Sequence, residues 1–195
     1  GEFRNQATSI LMAGVWELHD QSKFEIFAFD NGYDDGSEYR HRIESAFGNL
    51  FDISKLSDLN AAQLIQAHEI DILVNLNGFF GLPRQGVFAY KPAPIQVNYL
   101  GFPGTLGANY MDYMIADMVV LPDESKKYYV EKIVHLPNSY QANDNRREIS
   151  ARQFIKTELG LPESGFVFAC FNNNYKITPS TFDSWMRILS NVPAS

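Results

Sequence analysis

Apolar and polar positions alternate in blocks along this chain, and the spacing within the blocks changes from helix-like to strand-like and back. In "QATSILMAGVWELHD", Ile10, Leu11, Val15 and Leu18 fall near one face of a helix, with Thr8 or Ser9 as its cap. "KFEIFAFD" is an aromatic-rich β run that ends in the turn "NGYDDGS". "EYRHRIESAF" predicts a helix, "LFDI" a short strand, and "DLNAAQLIQAHE" a helix with Asp58 as candidate cap. "IDILVNLNG" and "PIQVNYLG" are nearly continuous apolar runs, the pattern of strands buried on both faces. "LPRQGVFAY" between them predicts a short helix or turn. "MDYMIADMVVLP" predicts a further strand, "ESKKYYV" a helix and "EKIVHLP" a strand.

Strands separated by helical segments require parallel crossovers, so the expected fold class is α/β with a doubly wound parallel sheet. The pattern changes after Pro137. "NSYQANDNRREIS" is polar and turn-rich, as a linker would be. "ARQFIKTELGLPES" predicts a helix at its start, "GFVFACFNN" a fresh buried strand, and "TPSTFDSWMRILSNVP" a helix beginning at Thr178 or Ser180. One strand and one helix are too little for a domain of their own. The expected division is therefore residues 1–145 as one Rossmann-like half, its first strand lying ahead of "GEFRNQATS", and 146–195 as a linker and the opening of a second half.

Composition narrows the function classes. The hydrophobic fraction of 45% is ample for a packed core. The net charge is −7 and the basic residues are scattered, which argues against nucleic acid as a partner. The single cysteine, Cys170, cannot form an internal disulfide and suits a reducing compartment. No apolar run is long enough to span a bilayer, and no signal peptide opens the chain. These features predict a soluble, cytoplasmic protein without a membrane partner.

Ligands of open parallel sheets sit beyond the carboxyl ends of the strands, and three strand exits carry unusual residues. The first, "NLNGFFG", offers Asn77 and Gly78. The second, "LGFPGTLGA", runs from Leu100 through Gly101, Phe102, Pro103, Gly104 and Thr105. Glycines there permit main-chain N–H groups to touch a sugar or phosphate; on its residues alone the loop reads first as a tight turn leading into the next segment. The third, "FNNNYK", places Asn173, Tyr175 and Lys176 just before a helix start, where a cation beside helix N–H groups suits phosphate, or is simply solvated. Asp34 and Asp35 read as turn chemistry rather than a metal site, and the four histidines lack metal-ligand spacing.

"PAPIQVNYLGFPGTLGANYMDYMIADMVVLP" closely resembles the protein O-GlcNAc transferases, glycosyltransferase family 41. "KFEIFAFDNGYDDGS", "IDILVNLNGFFG" and "FNNNYKITPSTFDSWMRIL" extend the resemblance in register over nearly the whole chain. The likeness is strongest to bacterial members, in which tetratricopeptide repeats usually precede the catalytic region; none is present here. The resemblance implies a GT-B architecture of two Rossmann-like halves. It also implies inverting transfer of N-acetylglucosamine, or another hexose, from a UDP-sugar to Ser or Thr of an acceptor protein. It further implies that no metal or other cofactor is needed. By analogy the Leu100–Thr105 loop lies at the donor sugar, Lys176 holds the diphosphate, and Asn173 stands near the nucleotide, where many relatives have glutamine.

One position departs from the family. Many members carry His-Pro where this chain has Gln6-Ala7, and that histidine faces the acceptor. A glutamine cannot take up a proton at neutral pH, so Gln6 can orient an acceptor but cannot serve as general base. A related branch that glycosylates asparagine, and a non-catalytic protein-binding module, are the alternative expectations. The resemblance puts most of the uridine site beyond this stretch, so the isolated fragment is expected to turn over poorly.

Overall fold

A computed structural model describes residues 1–193. The chain divides into two compact units, Gly1–Arg147 and Glu148–Ser195. In the first, helices and strands alternate as expected: α1 (Ala7–Glu17), β1 (Phe27–Asp30), α2 (Glu38–Ala46), β2 (Asn49–Asp52), α3 (Asp58–Ala67), β3 (Ile72–Asn75), α4 (Gln85–Ala89), β4 (Ile95–Asn98), β5 (Tyr113–Ala116) and β6 (Lys132–His135). Every strand pairing is parallel. β1 pairs with β2, and the other four strands form a sheet in the order β3-β4-β5-β6.

Ser57, and not the expected Asp58, caps α3, and Ser37 caps α2. Ser37 and Ser57 accept hydrogen bonds from Arg40 N and Asn60 N, while Asp58, one place later, binds Arg84 Nε at 2.6 Å. α1 begins at Gln6 without a side-chain cap, and Ser9 lies inside the helix, fully buried. Its buried face is Ser9, Met12, Ala13 and Trp16, whereas Leu18 is 70% exposed. Aromatic packing explains this rotation from the expected face: Trp16 lies 5.3 Å from the Phe3 ring and 5.2 Å from Phe47, and large rings dominate burial energy.

Two apolar clusters sandwich the strands. Phe29, Ile65, Leu73 and Phe88 pack with α3 and α4 on one face; Phe3, Trp16, Ala28, Ile43 and Leu76 pack with α1 and α2 on the other. β4 is almost wholly buried, as its apolar run predicts. β3 is not: Leu73 and Asn75 are buried, but Ile72 and Val74 are 55% and 40% exposed. "ESKKYYV" forms a 3-10 turn (Asp123–Tyr128) in place of the expected helix, too short for a regular α-helical ladder.

Arg42 fastens the end of this unit. It bonds Glu17 on α1 at 2.8 and 2.9 Å and Asp144 at 2.7 Å. Hydrogen bonds from this guanidinium hold both carboxyls below the usual carboxylate range. Groups with depressed folded-state pKa values stabilise above their ordinary pKa and lose that contribution as pH falls through the lowered one. The expected result is an unfolding free energy insensitive to this cluster near neutrality and falling below about pH 4. In Arg42→Met the acid limb becomes shallower, as urea titrations at stepped pH would show.

The second unit holds less regular structure than its pattern predicts. "ARQFIKTELGLPES" gives only a 3-10 turn, Lys156–Leu159, stopped by Gly160 in the left-handed region. "GFVFACFNN" forms no strand; Phe166, Phe168 and Phe171 are 61%, 47% and 99% exposed. An apolar run becomes a strand only where a neighbour completes its hydrogen-bond ladder, and none lies beside it among the described residues. α5 (Pro179–Asn191) forms as expected, with Thr178 accepting from Thr181 N and proline at its first turn.

Candidate functional site

The first unit brings three of the singled-out segments to the carboxyl ends of β3 and β4. The polypeptide leaves β4 at Asn98, and Leu100 turns it with φ 71°, a left-handed value carried by a buried leucine. Gly101 follows because nothing else fits. A Cβ there would stand 2.2 Å from the carbonyl oxygen of Leu76. Gly104 is confined differently, against the Phe102 ring at 2.5 Å. Of Gly101, Gly104 and Gly107, only Gly107 has a positive φ, 63°. Gly101 is required for space rather than for backbone angle, while at Gly104 the neighbour is the edge of the Phe102 ring, a side chain that can shift.

Residues that carry no sequence signal pin the loop from beneath. Asn98, fully buried, donates to the carbonyls of Phe102 (3.2 Å) and Gly104 (3.3 Å). Tyr129 donates its hydroxyl to Pro103 O at 2.7 Å. The Glu131 carboxylate accepts from Thr105 Oγ1 at 2.6 Å and from Leu106 N at 2.7 Å. The carbonyls of Phe102, Pro103 and Gly104 and the Thr105 hydroxyl are therefore consumed internally. Gly101 N–H is also occupied, by Tyr99 O at 3.0 Å. The N–H groups of Phe102, Gly104 and Thr105 have no acceptor among the described residues, and all three residues are partly exposed. The result is a loop braced from its carbonyl side whose Phe102, Gly104 and Thr105 N–H groups have no acceptor among the described residues, whereas Gly101 N–H is occupied.

The loop after β3 packs against it. Asn75 accepts from Asn77 N (3.0 Å) and Gly78 N (2.9 Å) and donates to Gln85. Gln85 in turn donates to Gly78 O. Gly78 adopts φ 57° with Phe102 directly against its Cα, and the Phe79 and Phe102 rings meet edge to face at 5.5 Å.

Glu2, 3% exposed, ties this loop to the segment that carries Gln6. Its carboxylate accepts from Asn77 Nδ2 and Leu82 N, both at 3.3 Å, and from Arg4 at 2.9 Å. Its main-chain carbonyl accepts from Gln6 Nε2 at 2.6 Å. That bond orients the Gln6 amide, leaving its carbonyl oxygen as the free acceptor. Behind the segment, the buried Asp30 carboxylate receives Phe3 N, Gly32 N and the Arg40 guanidinium, which fixes the segment to the end of β1. Asp34 and Asp35 do ordinary turn work, accepting from Gly36 N, Ser37 N and Asn5 N.

In the second unit Lys176 ends a 3-10 turn, Asn174–Lys176, two residues before the Thr178 cap of α5. Asn173, Tyr175 and Lys176 are all exposed, and the Lys176 ammonium has no ion pair among the described residues. No group of three or more metal-ligating side chains occurs among the described residues, and no described helix is long and apolar enough to cross a membrane.

Comparison with known proteins gives the likeness its extent. A probable UDP-N-acetylglucosamine–peptide N-acetylglucosaminyltransferase (SEC) of Arabidopsis thaliana is 41% identical over the whole of this chain, which covers 20% of that protein. The UDP-N-acetylglucosamine–peptide N-acetylglucosaminyltransferase of Caenorhabditis elegans is 35% identical over 74% of the chain, covering 13% of its own length. The chain thus spans about a fifth or less of these curated relatives. A solved structure of a mutant Thermobaculum terrenum O-GlcNAc transferase superposes on all of this chain and 36% of its own, with a TM-score of 0.87 at 28% identity. This supports the Rossmann-like, GT-B reading of the fold. The sequence model of glycosyl transferase family 41 matches residues 1–153 and 148–195, and the chain belongs to that family.

Proposed function

We propose that this chain is part of a glycosyltransferase that moves N-acetylglucosamine, or a related hexose, from a UDP-sugar to Ser or Thr of an acceptor protein with inversion. The observation that carries the reading is the Leu100–Thr105 loop. Three main-chain N–H groups without internal acceptors stand on a loop held from below by Asn98, Tyr129 and Glu131. Fixed donors on a rigid floor suit the hydroxyls and acetamide of a sugar, because no ordering cost remains on binding. Lys176, whose ammonium has no ion pair among the described residues, is assigned to the diphosphate on the family resemblance. As the bond from the anomeric carbon to the phosphate oxygen breaks, negative charge grows on the leaving group, and a nearby cation stabilises that transition state. This chemistry asks for no metal or other cofactor. The curated relatives are named for UDP-N-acetylglucosamine and peptide, which supports the same donor and acceptor classes here.

Gln6 favours a second reading of the acceptor. Its oriented amide oxygen accepts a hydrogen bond but not a proton, which suits alignment of an acceptor side chain, asparagine included, whose activation lies elsewhere. Mass spectrometry of proteins incubated with the full-length enzyme and UDP-GlcNAc decides between them. Added hexosamine on Ser or Thr is the expected result. Label on asparagine alone selects the second reading, and no label from UDP-GlcNAc or from any other UDP-hexose overturns both.

A further inference from the structure

Glu131 is a buried carboxylate, 4% exposed and without an ion pair among the described residues. Taking such a charge out of water is costly unless hydrogen-bond donors meet it. Both of its donors come from one place, the loop that leaves β4. Oε2 accepts from Thr105 Oγ1 at 2.6 Å, and Oε1 accepts from Leu106 N at 2.7 Å. The Thr105 oxygen also accepts from Gly107 N at 3.0 Å. The hydroxyl proton of Thr105 is thereby spent on Glu131 and is not available to a sugar.

The backbone that carries Glu131 is fixed on both sides. The next residue opens β6, and Lys132 N donates to Asp112 O at 2.9 Å. Two places earlier, Tyr129 N donates to Lys126 O at 3.0 Å, and the Tyr129 ring packs with Met114, Ala116 and Leu121. Tyr129 has extended dihedrals, and alternate side chains of an extended segment share a face. Tyr129 and Glu131 therefore meet the loop together, at Pro103 O and at Thr105–Leu106, while Val130 between them is 51% exposed. Burial first, and the Glu131 charge second, push the Tyr129 phenol above its ordinary pKa, so it stays a donor to Pro103.

We propose that Glu131 is a positioning residue for sugar transfer. Acting through Thr105 and Leu106, it sets the heading of the loop N–H groups that take the donor sugar, and Thr105 serves as its relay rather than as a sugar ligand. The proposal rests on the sugar-transfer reading of that loop. A carboxylate suits this task and a carboxamide does not. Both oxygens accept here, whereas an amide brings one acceptor and one N–H donor. Glu131→Gln keeps the shape of the side chain and leaves the loop only one of its two acceptors.

Steady-state kinetics of the full-length protein with UDP-GlcNAc and a protein acceptor tests it. Glu131→Gln is expected to lower kcat/KM for the donor by about 10-fold, the difference between a charged and a neutral hydrogen bond, with the acceptor KM unmoved. Thr105→Val removes the hydroxyl at constant shape and should cost as much, and Thr105→Ser should recover most of the loss. Both changes cut the same bond, so the double variant Glu131→Gln/Thr105→Val is expected to fall no further than either single one. Losses that multiply show Thr105 meeting the sugar by itself and overturn the relay. A lower melting temperature with unaltered donor kcat/KM, or a change in acceptor KM alone, overturns the positioning role. If Glu131→Gln does not fold, Glu131→Asp, which keeps the charge but draws it back by one methylene, replaces it in the same cycle. A wild-type protein that neither binds nor transfers any UDP-hexose defeats the sugar-transfer reading and this proposal with it, whereas the other contrary outcomes defeat the role of Glu131 alone.

Discussion

In the full-length protein, Lys176→Ala is expected to lower kcat for sugar transfer by about 10²- to 10³-fold, the usual effect of removing one group that meets developing charge. Three features make so large a loss the expected result. The ammonium is free of carboxylate partners among the described residues, so its charge is not already neutralised. It stands in a short turn that leads straight into the capped start of α5, so its backbone is fixed by local bonds, Lys176 N to Asn173 O and Ile177 N to Asn174 O. The residue is exposed and makes no packing contribution, so alanine should leave the melting temperature unchanged. Lys176→Arg retains charge and is expected to recover part of the rate. Steady-state kinetics with UDP-GlcNAc and a protein acceptor supplies the reading, with thermal unfolding as the control. A variant as active as the wild type removes Lys176 from the mechanism.

Gly101→Ala is the second large effect, and it acts on folding as well as on binding. The new methyl would enter the van der Waals sphere of the Leu76 carbonyl, which belongs to the backbone just past β3 and has no rotamer to escape into. Overpacking of this kind costs about 1–3 kcal/mol, and a backbone obstacle puts Gly101 at the upper end. In a unit of this size that is a fall of roughly 6–12 °C in melting temperature. Gly107→Ala is the informative comparison. Gly107 has φ 63° and open space around it, so only backbone strain opposes alanine, about 1 kcal/mol. Donor affinity, measured by calorimetry, should fall for Gly101→Ala and hardly at all for Gly107→Ala. Equal melting temperatures for the two variants would remove steric confinement as the reason for Gly101.

The strands and the loops at their ends were legible because each is a local pattern. "ILVN" and "IQVN" read as apolar runs, and the polar and glycine residues after them read as exits. What pins the exits was not legible. Asn98 looks like one more strand residue, and Glu131 like the polar start of "EKIVHLP". Their partners in the loop lie up to 26 residues away, a distance over which composition says nothing about contact. The rotation of α1 failed to show for a related reason. Counting apolar residues selects Leu18, but the aromatic trio of Phe3, Trp16 and Phe47 sets the buried face through contacts between segments. "GFVFACFNN" misled in the opposite direction. Its residues suit a strand, yet strand formation depends on a neighbour and not on propensity alone.

Leu100 bends the chain at a left-handed angle that costs a non-glycine residue of order 1–2 kcal/mol, and its own side chain is anchored among Phe3, Leu76 and Tyr99. The heading of the loop is thereby geared to the interior of the unit: a methyl group added or lost around Leu100 would shift the loop's three N–H groups without touching them. On the proposed reading of the loop, inherited variation deep inside this unit would retune donor preference while leaving the loop's own residues the same.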